Sequence, residues 1–178
     1  MNKVDISNMM PINQIEIGDP KDTKNLRNFY IQAKSFILNQ QWCESIKDAF
    51  LGIGYEGILA VFLFRIVPEK LYSNDSEAWI IVGDIPPAHI NPTHAINSAC
   101  ALLSYVGEMN LWVQAIKNNE NLQNKYYLPV NVPPTLEYAK LLENRLCFID
   151  KNILPEYSED LYIGGYKEDF NYFPHYTK

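Results

Sequence analysis

The stretch Ile58-Leu-Ala-Val-Phe-Leu-Phe-Arg-Ile-Val67 is apolar in nine of its ten positions. It is rich in β-branched and aromatic residues and shows no alternation of apolar with polar side chains. Such a run reads as a strand buried on both faces, because a strand with one wet face would carry polar residues at every second position. Pro68 stops it, and Tyr72-Ser-Asn-Asp-Ser76 supplies turn chemistry. Ala78-Trp-Ile-Ile-Val82 then reads as the next strand. A connection of only about ten residues favours an antiparallel pair, since parallel neighbours need a longer crossover. Gly83-Asp84-Ile85-Pro86-Pro87 breaks this second strand sharply.

Helices are expected on either side of the strands in sequence. After a cap at Asp22 or Thr23, residues Leu26, Phe29, Tyr30, Ala33, Phe36 and Ile37 recur at helical spacing. A second helical piece is expected from about Trp42 to Leu51, ended by Gly52 and Gly54. Asn91-Pro92 is a helix start, and the helix should run to about Lys117. Its buried stripe would be Ile96, Ala99, Cys100, Leu103, Val106, Met109, Val113 and Ile116. A short edge strand is expected between Leu128 and Val132. Pro133-Pro134-Thr135 opens a third long helix, to about Ile153, with Tyr138, Leu142, Leu146, Ile149 and Ile153 on its buried face. Pro155 should terminate it.

Few strands among several helices, without regular alternation, predict an α+β fold: a small antiparallel sheet with three or four packed helices in a single domain. That domain would span residues 21–155. A loose N-terminal arm, 1–20, would precede it, with a short extended piece at Gln14–Ile17. An acidic aromatic tail, 156–178, would follow.

The chain has 178 residues, 47% of them hydrophobic and 20% charged, with a net charge of -6. That is too apolar for a disordered chain. The acidic balance argues against nucleic acid, whose binding needs Lys and Arg to release counterions. The longest apolar run, Ile58–Phe64, is far short of the roughly 20 residues a membrane helix requires. The first twenty residues hold no apolar run of signal-peptide length. With three widely spaced cysteines, Cys43, Cys100 and Cys147, this predicts a chain kept in the reducing cytoplasm.

Sites for chemistry are few. Asp84 and His89 form an alternative enzymatic reading, a carboxylate orienting an imidazole. Against it, Asp84 is expected to cap the local turn by accepting from backbone amides, with His89 an ordinary loop residue. Pro92 separates His89 from His94, so the two do not share a helical face and no metal site is expected. No cofactor signature is read either. Gly52-Ile-Gly54-Tyr-Glu-Gly57 lies before a strand, where a dinucleotide fingerprint would follow one. Arg65 is expected at a strand end or in a local ion pair.

The tail is the least ordinary segment. Residues 156–178 hold seven aromatics and half the net charge, five acids against two bases. Disordered tails are poor in aromatics, so this one should pack on its own domain, a second subunit or a partner. Tyr162, Tyr166, Tyr172 and Tyr176, with Glu159 and Asp160, are the candidate partner-binding residues.

Ala78-Trp-Ile-Ile-Val-Gly-Asp-Ile-Pro-Pro-Ala88 resembles a W-x-(I/V)-x-G-D-x-P block of small uncharacterised bacterial proteins. There, as here, an extended loop and a helix ending near a Trp (Trp112) come next. Trp42-Cys43 and the apolar strand fit the same layout. The likeness spans about residues 42–118 and extends over Val130–Leu154, and it brings no activity with it. In size, charge and organisation the chain also resembles the immunity proteins that accompany bacterial toxins. That resemblance implies a cytoplasmic inhibitor that neutralises a toxin by protein–protein contact, with a basic toxin domain as partner. A structural subunit of a homo-oligomer is the other non-catalytic reading.

Overall fold

The computed structural model describes residues 4, 6–17, 20–55, 57–73, 75–122 and 130–166. Its centre is a five-stranded antiparallel meander in the order β1-β2-β3-β4-β5. The strands are β1 (Met10–Pro11), β2 (Cys43–Tyr55), β3 (Leu59–Pro68), β4 (Glu77–Gly83) and β5 (Ile85–Ile90). The fold is α+β, and β3 and β4 are antiparallel neighbours as their composition predicts.

The two faces of the sheet support two separate cores. Leu59, Val61 and Leu63 of β3 point with Trp79 and Ile81 of β4 toward α2 (Ser98–Lys117) and α3 (Leu136–Phe148). Ala60, Phe62, Phe64 and Ile66 point the other way, with Ala78, Ile80 and Val82, toward α1 (Pro20–Leu38). β3 therefore runs through the middle of a three-layer arrangement. Phe62 and Phe64 are fully buried, with Tyr30 of α1 stacked on Phe64 at 6.1 Å.

Two polar atoms in the α2-side core find fixed partners. Trp79 Nε1 donates to the Ala95 carbonyl at 2.8 Å, and Tyr105 Oη donates to the Pro86 carbonyl at 2.8 Å. Burial pushes the Tyr105 phenol far above its ordinary pKa, so it stays a neutral donor. The two bonds tie α2 and the loop before it to β4 and β5.

Several expectations are corrected. Residues 43–51 are not helical; they are the first part of β2. The helical look has a physical origin. β2 carries an extra residue at Glu44, at Lys47 and at Gly52, each unpaired with β3. Each such bulge moves the following side chains to the opposite face. Cys43, Ile46 and Ala49 thereby share the α1-side core at a spacing of three, which mimics a helix stripe. The third bulge sends Leu51 to one core and Ile53 to the other.

The helix expected from Asn91 starts later. Asn91 caps a single 3-10 turn, Pro92–His94, and Asn97 caps α2 itself. Ile96 therefore precedes the helix and is exposed, while the rest of the expected stripe is buried or packed against the core. α3 continues as a π-helical turn, Ile149–Ile153, but Tyr138 is exposed. Pro155 sits inside a 3-10 turn, Leu154–Tyr157, that leads into α4 (Ser158–Ile163). Proline fits there because the first positions of a helical turn need no amide donor. Residues 12–17 form a 3-10 helix where an extended piece was expected, with Ile15 buried under the α1-side core. Of the expected edge strand at 128–132, only Val130–Val132 are described, and they form no strand.

Two glycines are dictated by space. Gly83 has φ +146°, and a Cβ there would lie 2.1 Å from the Ile58 carbonyl oxygen. At Gly52 a Cβ would meet Ser98 Cβ at 2.5 Å, where α2 starts against the bulge. Gly83→Ala is expected to destabilise by about 2 kcal/mol or more, through backbone strain and collision together. Gly52→Ala should lose about 1–3 kcal/mol by overpacking. Urea unfolding of the two variants checks both values, and wild-type midpoints would contradict the assigned bulge and turn.

Candidate functional site

The block around Asp84 is built by β4 and β5. Asp84 N–H donates to the Ile58 carbonyl at 2.8 Å, which locks the turn against the start of β3. Pro86 and Pro87 follow on the edge strand, where a missing amide donor is tolerated. The Asp84 carboxylate does not take the backbone-capping role expected of it. It forms an ion pair with Arg145 of α3, and both side chains are more than half exposed. Behind the pair lies a groove of about 500 Å³, walled by Ile85, Pro86, Pro87, Val132, Tyr138 and Leu141.

His89 is not part of that groove. It pairs with Ile80 on β4, whose side chain lies in the α1-side core, whereas the Arg145 partner of Asp84 sits on the α3 side. Its ring lies 4.6 Å from that of Trp42. Five residues of strand place Asp84 and His89 about 16 Å apart along the chain, too far for a carboxylate to orient the imidazole. The structure therefore does not bring the two alternative catalytic residues together. Among the described residues, no group of three or more His, Cys, Asp or Glu could hold a metal ion. No helix among them is long and apolar enough to cross a membrane.

Burial beneath Trp42 lowers the His89 pKa, and the charge of Asp75 opposes that shift less strongly. The unfolded chain then takes up the proton at higher pH than the folded one. Stability attributable to His89 should be complete above its ordinary value of 6.5 and fall as pH drops below it. His89→Gln is expected to flatten the decline in Tm between about pH 7 and pH 5. An unchanged slope in the variant would contradict this.

The beginning of the tail is part of the folded body. Leu154 is buried, and Tyr157, Leu161 and Tyr166 pack against the α2-side core. One residue fixes it. The Asn97 side chain accepts from Cys100 N–H at 2.8 Å and donates through Nδ2 to the Asp160 carbonyl at 2.8 Å. A single amide thus caps α2 and clamps α4. Gly164 presses so closely on this helix that a Cβ there would lie 2.2 Å from Cys100 Sγ. Cys100 is buried, and desolvation first of all raises its pKa, which keeps it a thiol and a poor nucleophile.

The candidate partner-binding residues divide accordingly. Tyr162 is 70% exposed and Glu159 is exposed beside it, whereas Asp160 and Tyr166 are half-buried. Tyr172 and Tyr176 lie outside the described residues. Sequence reasoning overlooked Ile163, 65% exposed next to Tyr162, and Asn97, which holds the segment in place. Asn97 carried a usable signal, a capping residue immediately before a long apolar run. Comparison with protein-family models, with curated proteins and with solved structures finds no match to the chain.

Asp84→Ala removes an exposed ion pair and no backbone bond among those that define the turn. It should therefore shift stability by less than about 1 kcal/mol. Thermal unfolding of the variant tests this, and a larger loss would restore Asp84 as a turn cap.

Proposed function

We propose that the protein works by binding another protein, as an immunity-type inhibitor binds and neutralises a toxin. The observation that carries this reading is the exposed pair Tyr162–Ile163 on α4, a segment anchored to the core on its other side by Leu161 and by the Asn97 clamp. Large apolar side chains held rigidly in water lose little conformational entropy when they are covered. Glu156 and Glu159, both exposed, give the same segment a negative rim. Such charges mainly speed the encounter with a basic partner, an effect that salt weakens. The acidic balance of the whole chain, a net charge of -6, acts in the same direction.

Co-expression with the product of the adjoining gene tests the proposal. A stoichiometric complex is expected, with an association rate that falls as salt rises. Truncation after Pro155 is unsuitable, because it removes Tyr157, Leu161 and Tyr166 from the core they cover. Tyr162→Ala with Ile163→Ser should instead keep the wild-type Tm and weaken the complex about thirtyfold, the loss of one hot spot. Absence of any complex with the wild-type chain would overturn the reading. A double variant that binds unchanged would remove α4 from it.

A further inference from the structure

β1 holds only Met10 and Pro11, which pair with Leu51 and Phe50, so residues 43–49 of β2 run on with no strand on that side. β1 is too short to template a further strand, but β2 beyond it is not. The direction of its backbone groups follows from register. Ile66 N–H donates to the Ser76 carbonyl at 2.9 Å, so Ile66 turns its backbone groups toward β4. In an antiparallel sheet such a residue and its opposite number on the other neighbour form a non-hydrogen-bonded pair. Ile46, opposite Ile66, therefore points its amide and carbonyl away from β3, out of the sheet. Leu51, opposite Phe62, obeys the same rule, and there Met10 pairs with it. Ile46 has no such neighbour: among the described residues, no backbone bond outside the ladders uses its amide or carbonyl. Alongside this edge lies a groove of about 420 Å³, lined by Ile12, by Tyr30, Lys34 and Leu38 of α1, and by residues 44–50 of β2. Leu38 is 43% exposed. On the other face of the edge, Asp48 stands opposite Arg65, but Arg65 is engaged by Glu77 at 3.1 Å, and Asp48 forms no ion pair among the described residues.

We propose that the open edge of β2 takes an added strand: an extended segment of a partner protein, with an apolar side chain opposite Ile46 and a basic one next to it, beside Asp48. This surface is separate from α4. Backbone chemistry decides the class of occupant. An outward amide and carbonyl at strand spacing are matched by another extended chain, which adds to the sheet through main-chain bonds. Strand alternation then decides its side chains. The residue opposite Ile46 points to the α1 side, over the groove with Tyr30 and Leu38. Its neighbour points to the α2 side, where the unpaired Asp48 carboxylate favours a cation across the strands. A second copy of the chain fits poorly. In a two-fold pairing of edges its own α1 arrives on the same face, and the two helices claim the same space over the groove. The bulges at Glu44 and Lys47 also twist the edge, so it accepts a short flexible strand in preference to a long flat one. A single free segment meets neither obstacle.

Hydrogen exchange read by NMR tests the proposal on the full chain, with the end-blocked peptide Val-Arg-Val-Arg-Val as probe. In the free protein the Ile46 amide should exchange fast, and the Asp48 and Phe50 amides, which face β3, slowly. The peptide should bind saturably and slow exchange at Ile46. The same peptide N-methylated at its valines keeps every side chain but loses the amides that would bond the edge, and it should not bind. Asp48 is exposed, so Asp48→Asn leaves the core intact; it should weaken the peptide about two- to fivefold at low salt. A protected Ile46 amide in the free chain would overturn the proposal, and a dimer by sedimentation would then assign the edge to a second copy. Equal binding of the N-methylated peptide, unchanged affinity in Asp48→Asn, or no binding of the unmethylated peptide would each overturn it as well. None of these readouts involves a toxin, so failure here leaves the reading of α4 standing, and failure of that reading leaves this one.

Discussion

The absence of any solvent-facing side of β3 is the constraint on which the rest depends. Leu59 to Phe64 are fully buried, three side chains to each face. One helix layer could cover only one set, so the chain must place α1 on one side and α2 with α3 on the other. Each of the large side chains, once buried, stabilises by about 1.5–3 kcal/mol. The same arrangement fixes the order of the sheet. β3 cannot be an edge, and the meander leaves the edges to short β1 and to proline-bearing β5. Both are poor templates for adding a strand.

Covering the two faces also sets the polar geometry. α2 must approach the sheet closely at its start, and Gly52 with Ser98 provides the contact. Asn97 then caps the helix at the point where α4 crosses it. The amide cannot serve only one of these roles, because its oxygen faces the first turn of α2 while its nitrogen reaches the Asp160 carbonyl. The tail segment through Tyr166 is therefore an extension of the core. The surface it presents, Tyr162 and Ile163 outward, is held by packing that lies beneath it.

Electrostatics separates the two carboxylate-bearing regions. The Asp84–Arg145 pair neutralises itself at the mouth of the groove on α3. Exposed pairs of this kind contribute little to stability. Glu156 and Glu159, around the start of α4, are exposed.

The sequence by itself determined the antiparallel β3–β4 pair, the α+β class and most of the buried stripes of α1, α2 and α3, because apolar periodicity and side-chain shape act locally. It also marked the tail as too aromatic to be inert. Tertiary structure decided what periodicity could not. β2 looked helical because two bulges, at Glu44 and Lys47, converted a two-residue repeat into a three-residue one, and bulges are fixed by pairing with β3. Asp84 found Arg145 across 61 positions of chain, and His89 was carried to the opposite core, by strand register. Tyr55 and Phe148 met only when β2 and α3 were packed together. Contacts between residues far apart in sequence depend on register and helix placement, which are set by the packing of whole elements and leave no mark on any single stretch.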